Sequence, residues 1–171
     1  MTHRDRELLK ESRRGHVVRI ERLVADGADV NCRGKYGYTP LMEAASSGQV
    51  EAVRALLARG ADATLLAADN APTPFYACVR GHGEIVELLL DAGASPNAHR
   101  DSGCSTREGD TPGVSMLHVG IRQRHVRIVE ALLRAGAYTD FVVFGQDALA
   151  AAVETGDEAI IDLVRRRVRR R

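Results

Sequence analysis

Apolar residues in this chain come in short clusters at helical spacing, each closed by a glycine. Val17, Ile20, Leu23 and Val24 precede Gly27; Val50, Val53, Leu56 and Leu57 precede Gly60; Ile85, Val86, Leu89 and Leu90 precede Gly93. Steps of three and four put each set on one face of an amphipathic helix. The glycine is the residue able to take the left-handed conformation that ends it. A second series, Gly15, Gly48 and Gly81, separates that helix from a shorter apolar stretch before it, and both series recur every 33 residues. Each unit therefore predicts a short helix, a glycine turn, a longer amphipathic helix, a second glycine and a polar hairpin-like connection. Thr39 supplies an N-cap hydroxyl and Pro40 a pre-set helical φ at the start of the first helix.

Helix pairs this short cannot bury an apolar face alone, so neighbouring units must stack into one continuous core. The fold class is all-α: a solenoid with finger loops between units. The segments TPLMEAASSG, GHGEIVELLL and GADVN resemble the ankyrin repeat family, whose pattern reads T-P-L-H-x-A-A, G-H-x-E-V-V-x-L-L-L and G-A-D-V-N. The resemblance covers nearly the whole chain as one domain, 1–171, of about five repeats: 3–35, 36–68, 69–109, 110–144 and 145–171.

The departures carry their own expectations. The first unit lacks T-P-L and has Glu11 where Ala44 and Ala77 stand later, so it reads as an N-terminal cap. The last unit, capped by Asp147, has Arg165 where Leu57, Leu90 and Leu133 stand, and reads as a C-terminal cap that completes the domain. Pro72-Thr73-Pro74 replaces T-P-L, and because a residue before proline disfavours helix, that helix is expected one residue late. Arg124-His125 stands in place of Gly-His, which leaves the fourth turn open. Gly93 to Gly136 spans 43 residues, ten more than the period; the excess lies in 99–113, HRDSGCSTREGDTPG, a polar exposed insertion that is either drift or a partner contact.

Composition narrows the function classes. Only 4% of the 171 residues are aromatic and 44% are hydrophobic, which suits Ala/Leu/Val helix packing better than a sheet sandwich. The charged start MTHRDRE is unlike a secretory signal, and no apolar run approaches the ~20 residues of a membrane span. Cys32, Cys78 and Cys104 lack metal spacing and read as free thiols of a reducing, cytoplasmic setting. The net charge of +1 conceals a tail: Arg165–Arg171 holds six of the 24 basic side chains, leaving 18 basic against 23 acidic groups, or −5, in the rest.

Candidate chemistry is sparse, and no catalytic residue, cofactor or metal is expected. Gly81-His82-Gly83 lacks the strand and third glycine of a nucleotide loop. His118 fills the family's histidine slot, which implies a structural hydrogen bond between repeats. Cys78 occupies a small-residue packing slot and Cys32 a finger. Cys104, near His99, Asp101, Glu108 and Asp110, lacks the firm spacing of a metal site and reads as an exposed thiol. What the resemblance implies is a non-enzymatic protein-protein interaction module, a scaffold, adaptor or regulatory binder, working through its concave first-helix face and fingers. The exposed first-helix positions are Arg13 and Arg14, Ser46 and Ser47, Val79 and Arg80, Arg122 and Gln123, then Glu154 and Thr155. The fingers add Arg33, Lys35, Tyr36, Tyr38, Leu65, Leu66, Phe141, Val142 and Phe144, with Tyr76 beside them. Phe141–Phe144 either meets a partner or seals the cap repeat. Arginine and tyrosine are frequent interface anchors, so a monomer binding an acidic or extended segment of another protein is expected. The alternative is nucleic-acid or anionic-membrane association through the Arg tail, which no aromatic platform supports.

Overall fold

The computed structural model describes residues 1–100 and 113–169. Among these residues five helix pairs follow one another: α1 His3–Arg14 with α2 Val17–Ala25, α3 Pro40–Ser46 with α4 Val50–Ala58, α5 Thr73–Arg80 with α6 Gly83–Asp91, α7 Met116–Arg122 with α8 Val126–Arg134, and α9 Ala148–Thr155 with α10 Glu158–Val168. The first helices pack in one row, α1 on α3 on α5 on α7 on α9. The second helices pack in another, α2 on α4 on α6 on α8 on α10. Two two-residue strands, β1 His99–Arg100 and β2 Val114–Ser115, pair antiparallel at the base of the insertion. Residues 101–112, with Cys104, lie outside the described residues.

Local chemistry sets the helix starts. Thr2 and Asp5 form a reciprocal capping box at α1 (2.6 and 3.2 Å), Met42 N donates to Thr39 Oγ1 at 3.3 Å for α3, and Ala150 N donates to Asp147 Oδ1 at 2.8 Å for α9. The late start expected near the prolines does not occur. α5 opens at Thr73, 33 residues after Pro40 opens α3. Pro72 takes the extended N-cap (φ −74°, ψ 153°), Pro74 falls in a first turn whose N–H groups have no intrahelical acceptor, and the Thr73 hydroxyl donates to Leu65 O at 3.3 Å.

The fourth turn also keeps its shape. Arg124 adopts φ 58°, the left-handed conformation that Gly48 and Gly81 hold at 73° and 77°. Its Nη2 donates to Thr155 O at 2.6 Å, which helps to hold a conformation that costs a non-glycine residue about 1 kcal/mol. The turn glycines have a second reason to be glycine: a Cβ on Gly48 would stand 2.7 Å from the His82 ring, and one on Gly81 2.9 Å from His125. The third and fourth units thus each lay an imidazole over the turn of the unit before, and the second lays Gln49 over Gly15 in the same way.

One core runs through the stack, from Leu8 and Ile20 through Leu41, Leu56, Ile85, Leu89, Leu117, Leu132 and Ala152 to Ile160 and Val164. Each such Leu or Ile contributes about 1.5–3 kcal/mol by leaving water. Finger asparagines lock adjacent units: Asn31 accepts from Asp62 N (2.9 Å) and Asn97 from Tyr138 N (2.8 Å). At the N-terminal end Glu11 is buried rather than part of a polar outer face. His16 Nδ1 meets it at 2.6 Å, with Arg14 and Arg19 each at 3.4 Å; the bond to His16 holds its carboxyl below the usual range despite burial. At the other end Arg165 is exposed.

Candidate functional site

Each first helix turns its small and apolar residues inward, Leu41, Ala44 and Ala45 on α3, Phe75, Ala77 and Cys78 on α5, and so leaves its last turn facing outward. That geometry exposes Arg13, Arg14, Val79, Arg80, Arg122 and Gln123 and half-exposes Ser46 and Ser47. An open depression of about 470 Å3 crosses α1, α3 and α5, lined by Arg13, Tyr38, Glu43, Ser46, Ser47, Arg80 and His82. Five of these are sequence-derived candidates. Arg14, Val79, Arg122, Gln123, Arg33, Lys35, Tyr36 and Tyr76 lie outside it.

The arginines of this face are not equivalent. Arg13 Nε sits 2.9 Å from Glu43 Oε2, and Arg14 Nη1 sits 3.4 Å from Glu11 Oε1. Arg122 donates to Gln146 Oε1 at 3.1 Å, lies 3.9 Å from Glu154 and covers the Phe144 ring at 5.7 Å. Arg80 makes no ion pair or hydrogen bond among the described residues. The hydroxyls of Ser46 and Ser47 likewise lack a hydrogen-bond partner among the described residues.

Fingers flank the depression. Arg33 Nη1 donates to Leu66 O at 2.8 Å, tying the first finger to the second, and Lys35 lies over the Tyr36 ring at 4.7 Å. Tyr36, 66% exposed, sits at φ 61° before Gly37 in a tight tip. The Tyr38 and Tyr76 rings pack with centroids 4.8 Å apart and planes tilted by 56°, and Tyr76 Oη donates to Asp69 at 3.1 Å. Burial first, then the bond to Tyr38, raises the Tyr76 phenol far above its ordinary value, so it acts as a neutral donor. In the 141–144 run Val143 is buried and Phe141 packs on His99 at 5.7 Å, while Val142 and Phe144 point outward. Phe144 is 79% exposed, at φ 52°, in a tip closed by Gln146 N donating to Val143 O at 3.1 Å. Leu66 is exposed and Leu65 half-buried.

The remaining candidates are structural. His118 is buried, its Nε2–H donating to Gln146 O at 3.1 Å and so joining the fourth unit to the fifth; burial lowers its pKa and keeps it neutral. Cys32, buried rather than displayed on its finger, and Cys78 have thiols pushed up to about 12 by burial, which suppresses thiolate chemistry. Sequence reasoning missed Glu43 and His82. A signal existed: Glu43 follows Arg13 by 30 residues, as Glu84 follows Arg54, and both pairs close, at 2.9 and 2.8 Å.

Stacked helix pairs, finger asparagines and glycine turns define the ankyrin class. The ankyrin-repeat pattern, in three copies, matches residues 8–100, more than half of the chain, which therefore belongs to the ankyrin repeat family. The chain is 36% identical over 128 residues to "Ankyrin repeat, SAM and basic leucine zipper domain-containing protein 1" of Dasypus novemcinctus, a match covering 72% of this chain and 25% of that protein. "Ankyrin repeat and KH domain-containing protein mask-1" of Caenorhabditis elegans is 31% identical over 143 residues, 81% of this chain and 5% of that protein. The "2-5A-dependent ribonuclease" of Mus musculus is 44% identical over 59 residues, 34% of this chain and 8% of that enzyme. The chain thus spans a quarter or less of these relatives. Ankyrin repeats are generally protein-protein interaction modules, a non-enzymatic fold. No described helix is long and apolar enough to cross a membrane.

Proposed function

We propose that this chain is a non-enzymatic binding module that holds an extended, acidic segment of another protein along its first-helix face, as a cytoplasmic adaptor or regulatory binder. The observation that carries this reading is the depression across α1, α3 and α5, where uncommitted donors of Arg80, Ser46 and Ser47 meet the aromatic wall of Tyr38. Arg13, Arg14, Arg122 and Gln123 extend the polar face along the stack. Val79, Tyr76 of α5 and the finger residues Arg33, Lys35 and Tyr36 supply apolar, aromatic and cationic edge contacts of the kind that anchor interfaces. Non-glycine φ values above zero at the exposed tips Tyr36 and Phe144 fit this use, since strain of that kind clusters at functional positions. The double substitution Arg80→Glu, Arg122→Glu tests it. Partner affinity falls at least about tenfold if the face binds, by the loss and reversal of charged contacts; unchanged affinity removes the face from consideration.

A second reading rests on Arg165, Arg166 and Arg169, exposed at the end of α10 and without an acidic partner among the described residues. Such a cluster suits nucleic acid or an anionic membrane surface. Arg→Gln at these three positions keeps the last turn of α10 intact, and loss of retention on an anionic matrix then favours this reading over the first.

A further inference from the structure

Within the depression the fixed charges are Arg13, Glu43 and Arg80. Arg13 and Glu43 pair at 2.9 Å, with the Glu43 side chain 16% and the Arg13 side chain 66% exposed, so each already spends its charge on the other. Among the described residues one positive charge of the depression remains unpaired, Arg80, at the last turn of α5 beside the exposed Val79. Across the same depression stand Ser46 and Ser47, two hydroxyls without partners among the described residues. A guanidinium presents several donors in a plane that matches a carboxylate, and a hydroxyl can donate to the oxygen left over.

We infer that this depression is a subsite for a single carboxylate, an Asp or Glu side chain of an extended partner segment, with Arg80 as its ionic anchor and Ser46 and Ser47 as supporting donors. The inference rests on the first-helix face being the binding surface, and it narrows that reading to one position and one charge. The net field selects a monoanion. A phosphate dianion would bring a second negative charge beside Glu43 with no free cation to meet it, and like charges at that range repel. Arg122, already held by Gln146, Glu154 and the Phe144 ring, is excluded from the role. Docking at Arg80 breaks no existing ion pair, whereas docking at Arg13 or Arg122 would.

Three peptide pools with degenerate flanks around a central Glu, Gln or phosphoserine, captured on the immobilised full chain at about 50 and 500 mM salt, provide the test. The Glu pool should be retained about tenfold or more over the Gln pool at low salt, the increment expected of a charge-assisted hydrogen bond, and over the phosphoserine pool as well. Arg80→Gln should erase the Glu preference, Arg122→Gln should leave it, and Ser46→Ala with Ser47→Ala should reduce it several-fold. Equal retention of Glu and Gln, stronger retention of phosphoserine, or equal damage from Arg122→Gln overturns the inference. Ser47→Trp, which puts a large ring into the depression, separates the two levels. If it abolishes retention while no Glu preference exists, the binding face stands and the subsite fails; if it changes nothing, the face itself fails. Circular dichroism and urea midpoints matching the parent chain establish that each variant is folded.

Discussion

Gly48→Ala isolates the device that lays one unit on the next. At Gly48 φ is 73°, and a left-handed alanine costs about 1–2 kcal/mol. The same conformation at Gly27, φ 90°, has no heavy atom within 4 Å of an added Cβ, so Gly27→Ala meets only the conformational term. At Gly48 the new methyl would also lie 2.7, 3.0 and 3.1 Å from the Cε1, Nε2 and Nδ1 of His82, well inside the ~3.5–4 Å of a comfortable contact. The imidazole has to leave its seat on the turn, and overpacking of this kind costs about 1–3 kcal/mol. Gly48→Ala should therefore destabilise by about 1–3 kcal/mol more than Gly27→Ala in urea titrations. In a His82→Ala background that difference should vanish. Equal costs at the two glycines in the parent chain, or a gap that persists without His82, would refute the account of the turn.

Other consequences follow from single contacts. Leu56→Ala, at a fully buried core position, should cost about 2–5 kcal/mol in the same titration; a near-zero cost contradicts the stacking register. His118 has a folded pKa depressed by burial, so the unfolded chain takes up a proton that the folded one refuses. Stability is complete above the ordinary value of about 6.5 and declines as pH falls from there through the folded pKa. His118→Gln should flatten that decline in urea midpoints between pH 7 and 5. Below about pH 4.5 the depressed carboxyl of Glu11 adds a second loss of the same sign, which Glu11→Gln should remove. Phe144→Asn gives up an exposed ring and relieves a left-handed aromatic; with about 1 kcal/mol regained and about 0.5 lost from the Arg122 contact, thermal stability should rise slightly.

The repeat was readable because glycine position and apolar spacing are both dictated by the backbone: the turn needs a left-handed residue, and the stack needs one apolar face per helix. Arg124 shows the limit of that reading. Its left-handed φ is imposed by the neighbouring units and held by Thr155 O, so the residue type gave no sign of it. Pro74 misled for a related reason: the steric rule against helix before proline bears on Thr73, yet Thr73 stands at the first helical position, its hydroxyl tied to Leu65 O. At the site, the alignment of last-turn positions identified Arg13, Ser46, Ser47 and Arg80 as neighbours across three units. It treated all four first-helix arginines alike, however; Arg14 pairs with Glu11 on its own helix, but the groups that hold Arg13 and Arg122 come from other units. Glu43 reaches Arg13 from the next unit, and Gln146 and Glu154 reach Arg122 from the fifth.

The central claim, that the first-helix face is the binding surface, is most directly tested by amide hydrogen exchange of the full chain with and without a partner captured at two salt concentrations. The account predicts that new protection falls on the last turns of α1, α3 and α5 and on the fingers around Tyr36, Leu66 and Phe144. Protection confined to α4, α6 and α8, or to the arginine-rich end of α10, would contradict it.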